Sequence, residues 1–368
     1  MNEFLHSFDD EMKSVFGGKV YRLALSASHS CPNRDGHCGR GGCIFCSAGG
    51  SGDFAASYNA DIDAQIEEAK ARVSRKLSRS FAGYMAYFQS FTETYGDEEY
   101  LAGCFERAAE HSEVLALSIA TRPDSISDHM LMRLAAINAH KPVYVELGLQ
   151  TVHEDTAEYI NRCYRLPVFE DAFRRLKAAG LKVVVHVIIG LPGENEARTI
   201  QTVKYLSELE YNGCHIDGIK LQLLHVLKGT RLAELMSQEI LNAAESSETA
   251  KLQPEPASEK TPGSGHNAEK QRGAFVENSE YNTCSKQIFL NDGKSMTCYN
   301  ISGYAELITR LVAMLPGDIT IHRITGDAPK SLLIYPKWTA DKKRVLNTIT
   351  KTFIKTGRRQ SAVFPNKE

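Results

Sequence analysis

Three things are scarce in this chain, and each scarcity narrows what it does. Charge of one sign is scarce: 43 Lys and Arg stand against 45 Asp and Glu, a formal net charge of −2. No whole-molecule field draws it to a polyanion, so a nucleic-acid contact needs a local patch. Long apolar runs are scarce. Val183–Val185 and Val187–Ile189 are short and interrupted, against the ~20 residues that span a bilayer. Met1-Asn2-Glu3-Phe4 does not open a secretory signal. The expectation is a soluble, cytoplasmic protein without membrane contact. Cysteine is scarce as well. Nine in 368 residues are too few and too scattered for a disulfide scaffold.

What is present is ordinary in bulk. Hydrophobic residues make up 42% and charged residues 24%, as in a soluble globular protein. The length suits one large domain or two smaller ones. Runs dense in Val, Ile, Leu and Tyr predict strands at Val20–Leu25, Tyr84–Phe88, Val114–Ile119, Val143–Leu149, Val183–Ile189 and Ile219–Leu224, each buried on both faces. Helical patterns fall between them at Ile62–Leu77, Asp97–Glu110, Asp128–His140, His153–Tyr159, Phe169–Ala179 and Glu196–Leu209. Phe169, Ala172, Phe173, Leu176 and Ala179 recur at spacings of three and four, and Gly180 follows as a stop. Six β-then-α units imply a parallel sheet with right-handed crossovers. A partial or full α/β barrel and an open doubly wound sheet both fit. In either, functional loops follow the C-terminal strand ends.

Four spans are expected: a helical lead-in over 1–18, the βα core over 19–236, an insertion over 237–294 and an α/β extension over 295–368. The insertion carries Pro254-Glu255-Pro256 and Lys260-Thr261-Pro262-Gly263-Ser264-Gly265, a composition that reads as disordered. Order is expected to resume near Tyr299, with a helix over Gly303–Met314, strands at Asp318–Ile324 and Leu332–Tyr335, and a helix over Ala340–Lys355.

Four of the nine cysteines lie together, in Cys31-Pro-Asn-Arg-Asp-Gly-His-Cys38-Gly-Arg-Gly-Gly-Cys43-Ile-Phe-Cys46. The stretch follows the first predicted strand, and its glycines let the backbone turn tightly around a metal centre. Cys43 and Cys46 form a C-x2-C pair, able to place two sulfurs on one centre. A closed zinc site is the rival reading, with His37 and Cys38 available, although no second C-x2-C knuckle is present. A three-cysteine [4Fe–4S] cluster leaves one iron open. Spacing does not choose between Cys38 and Cys31 as the third ligand, because an eleven-residue loop closes at little extra entropic cost. Cys104, Cys163, Cys214, Cys284 and Cys298 read as buried or free thiols.

The run from Cys31 through Gly41-Gly42-Cys43-Ile44-Phe45-Cys46 resembles the YhcC/YtqA-type radical S-adenosylmethionine (SAM) proteins, relatives of the Elongator catalytic subunit's radical SAM domain. Further matches follow in order: Tyr87–Thr92, Thr121–Asp124, Val145–Thr151, Ile189–Glu194, Leu224–Thr230 and His322–Asp327. The resemblance implies a partial (β/α)6 barrel with a small C-terminal α/β extension. It implies a [4Fe–4S] cluster on Cys31, Cys43 and Cys46, with Cys38 an extra. Phe45 matches the position beside the SAM adenine. Gln89, Ser90 and Thr92 lie where the methionine amine binds, Gln150 where ribose contacts fall, and Gly190 and Glu194 in a motif that lines SAM. Implied partners are a reductant such as flavodoxin or ferredoxin and, through the Elongator relationship, tRNA. The reaction implied is reductive cleavage of SAM to a 5′-deoxyadenosyl radical, with the substrate either a wobble-uridine side chain or a small metabolite. A zinc-stabilised nucleic-acid-binding module is the non-enzymatic alternative. Relatives tend to carry a His soon after Asn161-Arg162, where this chain has Cys163-Tyr164.

Several residues carry two readings. Arg122 is a candidate contact for the SAM carboxylate or the substrate. Its neighbours Asp124 or Ser125 equally read as a helix cap. Glu146, inside an apolar strand, needs a partner when buried: SAM, substrate, Arg122 or Lys220. His186 between valines reads as a satisfied core histidine. Lys337, Lys342, Lys343, Arg344, Lys351, Lys355, Arg358 and Arg359, with Trp338 and Phe353 interleaved, form a solvated helix face or a phosphate-binding patch. No catalytic acid, base or nucleophile is assigned.

Overall fold

The structure, a computed structural model, describes residues 3–50, 52–56, 59–238, 240–242 and 285–362. Seven strands form one sheet in chain order: β1 (Lys19–Leu25), β2 (Phe81–Phe88), β3 (Val114–Thr121), β4 (Val143–Gln150), β5 (Lys182–Ile189), β6 (Gly218–Leu223) and β7 (Thr320–Arg323). Every neighbouring pair is parallel. Helices α1 (Phe8–Phe16), α2 (Ile62–Val73), α3 (Glu98–Glu110), α4 (Asp128–Asn138), α5 (Glu154–Tyr159), α6 (Leu166–Ala178), α7 (Glu196–Glu208), α8 (Ile301–Ala313) and α9 (Lys342–Thr356) complete the frame. The sheet curls into a half-barrel, the partial βα barrel expected. β1 and β7 do not pair, but Arg22 Nη2 donates to His322 Nδ1 at 3.1 Å across the open seam.

Two cores result from strands buried on both faces. The outer one sets Leu23, Leu25, Phe88, Leu117, Val145 and Val185 against the helices. The inner one places Val20, Met85, Ala116, Tyr144 and Val184 on Phe8 and Met12 of α1. Ser7 and Asp10 close a capping box at the start of α1, and Ser7 bridges to Ile321. The lead-in helix is therefore the plug at the N-terminal end of the barrel.

The C-terminal α/β extension lends its strand to the barrel, as β7 of the main sheet. Several expectations are corrected. The disorder expected over 237–294 falls mostly on residues outside those described. At its end, however, Ser285–Phe289 pairs antiparallel with Ser295–Tyr299, so ordered chain precedes Tyr299. This hairpin sits on the turn after β5, where Gly193 N–H donates to Ser295 O at 2.6 Å and a Cβ on Gly193 would lie 2.4 Å from Lys294 Cε. Ser127, not Asp124 or Ser125, caps α4 by accepting from Met130 N–H at 3.0 Å. Helix α6 begins at Leu166, ahead of Phe169, since Pro167 is tolerated in a first turn.

Candidate cofactor site at the mouth of the barrel

The cysteine loop leaves the end of β1 and is anchored by three side chains from elsewhere. Glu93, fully buried, accepts from Ala27 N–H and Ser28 N–H at 2.9 Å and from Ser90 N–H at 2.8 Å. It ties the root of the loop to the turn after β2. Burial pushes its carboxyl up to about 8, against the pull of those backbone donors. Asn161, held at φ +58, donates Nδ2–H to Gly42 O at 2.8 Å and Arg40 O at 3.3 Å. Arg162, 1% exposed, donates to Leu149 O at 2.9 Å, Thr151 O at 2.6 Å and Tyr164 O at 3.0 Å. It fixes Asn161 to the end of β4. From within the loop, Asn33 reaches back to Asn161 O, and Arg34 donates to Ser47 O and Cys46 O.

The loop overhangs a cavity of about 810 Å³ that runs down the barrel. Cys31, Cys43, Cys46, Phe45, Gln89, Thr92, Arg122, Glu146 and Gln150 all line it. Cys38 is exposed and does not; its Sγ stands 3.6 Å from Arg122 Nη2. Three further expected residues also lie off the wall. Ser90 turns its Oγ toward Gly52. Glu194 accepts from Thr151 Oγ1 at 2.5 Å, and Gly190 lies under the 285–299 hairpin, 3.4 Å from Thr297 O by its absent Cβ. They support the wall from behind. Cys163 is likewise outside it, with Sγ 3.1 Å from Asn33 Oδ1, so that position bears on the cysteine loop rather than on the lumen.

The donor set fits an iron–sulfur cluster and SAM. Burial, then Cys46 and Cys31, pushes the Cys43 thiol up to about 12 against Arg122 and Asn33, so it ionises when a metal displaces its proton. Arg122 is gripped by Asp124 at 2.9 and 2.6 Å, which keeps its guanidinium charged beside the thiols despite burial. Among the described residues no three His, Cys, Asp or Glu groups converge on a point that would suit one ion; cluster thiolates each take a separate iron. Two wall residues hold a left-handed backbone, Phe91 at φ +51 and Gln150 at φ +64. Such conformations persist where the surroundings enforce them. Buried Thr92 Oγ1 and Gln150 Oε1 have no partner, which leaves them for a polar ligand.

Deeper down, alternate residues of each strand face the lumen and form layers. Ala24, Gln89, Ala120, Gly148, Ile188 and Gln222 lie nearest the mouth and leave it open. Beneath them is an ionisable layer. Glu146 accepts from Ser118 Oγ at 2.7 Å, pairs with His186 Nε2 at 2.8 Å and binds Lys220 Nζ. Lys220 also donates to Tyr87 Oη at 3.0 Å. Burial alone would raise the Glu146 carboxyl, but Lys220, His186 and Arg22 hold it well below the usual range. Burial, with Arg22 and Arg323, lowers Lys220 to about 7. Glu146 thus pairs with Lys220, not Arg122, and His186 is satisfied yet faces the lumen.

The basic C-terminal segment is corrected in part. Trp338 and Phe353 are core residues: Trp338 Nε1–H donates to Tyr299 O at 3.1 Å, and Phe353 stacks on Phe4 at 5.4 Å. Lys342 is bound to Asp327 at 2.9 Å and Arg358 to Glu306. Lys343, Arg344, Lys351 and Lys355 remain exposed along α9.

A curled parallel half-barrel with cysteines on the loop after its first strand defines the radical SAM class. Residues 31–206 match the radical SAM superfamily and residues 291–355 the radical SAM C-terminal domain. The chain belongs to the radical SAM superfamily, among proteins of the YhcC/YtqA type. It is 33% identical to the uncharacterized protein YtqA of Bacillus subtilis, covering 99% of this chain and 94% of that one. It is 34% identical to protein YhcC of Escherichia coli over 67% of this chain and 76% of the other. Its fold is similar to that of archaeal Elp3 from Methanocaldococcus infernus, with a TM-score of 0.55 at 16% identity, spanning 93% of this chain and 64% of that one. It is therefore an enzyme, and the zinc-module reading is set aside. No helix among the described residues is long and apolar enough to cross a membrane.

Proposed function

We propose that Cys31, Cys43 and Cys46 hold a [4Fe–4S] cluster and that the enzyme modifies a wobble-uridine side chain of tRNA in the cytoplasm, with flavodoxin or ferredoxin as reductant. The observation that carries the cofactor reading is that these three thiols, and not Cys38, face one cavity above a lined lumen. A cluster held there by Cys31, Cys43 and Cys46 would supply the low-potential electron for reductive cleavage of SAM. The protein's own residues do the rest. Phe45 offers a flat face for the adenine; Thr92 and Gln89 offer polar atoms to the methionine end and Gln150 to the ribose. Arg122 keeps positive charge beside the thiolates, and the buried walls exclude water. The exposed lysines and arginines of α9 supply phosphate contacts that position without reading sequence.

Anaerobic reconstitution tests the cofactor. The wild type should take up the iron of one cluster and cleave SAM when reduced. Cys43→Ala should lose both properties and Cys38→Ala neither; full SAM cleavage by Cys43→Ala would refute the ligand set. Comparing tRNA nucleosides from cells with and without the gene tests the substrate. An unchanged profile would transfer the assignment to a small metabolite.

A further inference from the structure

The ionisable layer carries more positive charge than its carboxylates balance. Arg22, Lys220 and Arg323 line the cavity, with Lys19 and Lys342 at its more exposed edges, against Glu146, Asp327 and Asp9, and Asp9 is engaged by Lys19 at 3.4 Å. Asp327 is already engaged by Lys342 at 2.9 Å and Arg323 at 3.3 Å. Glu146 is engaged by Lys220. Arg22 has no carboxylate within ion-pair distance. Its Nη2 rests on the neutral acceptor His322 Nδ1 at 3.1 Å, its plane lies over the Phe8 ring at 3.7 Å, and its buried Nε has no partner. His322 gives no relief, since burial and then Arg22 hold it well below the usual histidine range, so it stays neutral. A guanidinium enclosed in this way is costly unless an anion joins it. Its planar fork suits a carboxylate or a phosphate monoester.

Depth narrows the ligand. The layer lies about two strand residues, or ~7 Å, below the ring of Ala24, Ala120 and Gly148. A diester phosphate of a nucleic-acid backbone carries chain on both sides and would have to bring both to that depth. A small group ending in an anion does not. Ala24, Ala120 and Gly148 give it room, and a Cβ on Gly148 would lie 2.7 Å from Gln150 Nε2.

We propose that the substrate ends in an anionic group, a carboxylate or a phosphate monoester, which enters the lumen and is bound by Arg22 together with Lys220 and Arg323. This rests on the reading that the lumen below the SAM site receives the substrate. It is compatible with either a modified nucleoside side chain or a free metabolite, and it excludes a neutral terminus.

The test uses the reconstituted full chain, with acetate and inorganic phosphate as probes and acetamide as the neutral control. Equilibrium binding should show one equivalent of acetate or of phosphate and none of acetamide. Preference for acetate identifies a carboxylate terminus, and preference for phosphate a phosphate monoester. Arg22→Gln should weaken binding at least tenfold, about 1.4 kcal/mol. Arg22→Lys, which keeps the charge, should lose less. Circular dichroism and SAM binding identify a variant that has not folded, in which case Arg22→Lys and the wild type carry the comparison. The proposal is overturned if neither anion binds, if acetamide binds as well as acetate, if a folded Arg22→Gln binds like the wild type, or if SAM displaces the anion one for one. SAM cleavage by the wild type is scored separately. A protein that binds the anion yet cleaves no SAM retains this site and refutes the enzymatic reading instead.

Discussion

Asn161 clamps the middle of the cysteine loop through two backbone carbonyls, and replacing it separates two physical terms. Asn161→Gly keeps the left-handed backbone at φ +58 without strain. It removes the hydrogen bonds to Gly42 O at 2.8 Å and Arg40 O at 3.3 Å, each worth about 1 kcal/mol net. The loop should therefore open more readily by about 2 kcal/mol, or roughly 30-fold. Asn161→Ala loses the same bonds and adds about 1 kcal/mol for a Cβ in the left-handed region, for a total of roughly 150-fold. The assay is native-state amide exchange at Gly42 and Ile44, whose N–H groups donate to Asn33 O at 2.8 Å and Ile160 O at 3.2 Å. Global melting should change little, because the opening is local, whereas iron uptake on reconstitution should fall in the same order. Wild-type protection in Asn161→Gly would refute the clamp. Equal protection in the Gly and Ala variants would refute the backbone term.

Two further perturbations probe the buried charges. Glu93 titrates near 8 in the folded protein against 4.5 unfolded, so the native state holds a proton that the unfolded chain releases. Its contribution is full below 4.5 and is lost as pH rises to 8, at about 1.4 kcal/mol per pH unit. In Glu93→Gln, which mimics the protonated form, denaturant titrations at successive pH values should lose that slope; an unchanged slope would refute the assignment. Glu146→Gln leaves Lys220 enclosed among cations and should cost about 3–5 kcal/mol in chemical denaturation at pH 6, with most of it recovered in Glu146→Gln/Lys220→Met. Simple additivity of the two changes would refute the pairing.

The barrel was legible because doubly buried strands and amphipathic helices leave local periodic signals, and each of the six predicted core strands appears within a few residues of its place. The seventh strand was not assigned to the sheet, since nothing in Thr320–Arg323 says which edge it will join. The cysteine loop stood out by composition. Its supports did not: Glu93 and Asn161 reach the loop from 65 and 128 residues away, with Arg162 bracing Asn161 from beside it, and sequence proximity says nothing of such contacts. Ser90, Gly190 and Glu194 lie outside the cavity lining for a related reason. Adjacency to a strand's C-terminal end puts a residue near the mouth, but the turn decides which side of the wall it faces. At Glu194 the turn points it to Thr151, beneath the helices, rather than to the cavity.

A further signal lies in the polar residues that interrupt the strands. Strands buried on both faces should be apolar throughout, yet Arg22, Ser118, Glu146, His186 and Lys220 interrupt five of them. Taken singly, each admits a bland reading. Their phases agree, however. Along every strand the interrupting residue alternates with outward-facing apolar neighbours, and the positions two residues toward the C-terminus are Ala24, Ala120, Gly148, Ile188 and Gln222. An open doubly wound sheet covers both faces with helices and has no use for ionisable groups at one level of one face. A curled sheet has an interior, and a polar ring at a fixed depth below a ring where Ala24, Ala120 and Gly148 leave room is what a ligand-holding interior requires. The agreement in phase therefore chooses the half-barrel over the open sheet, a choice that periodicity in single strands leaves undecided. The same interruptions that choose the fold also line the chamber beneath the thiols.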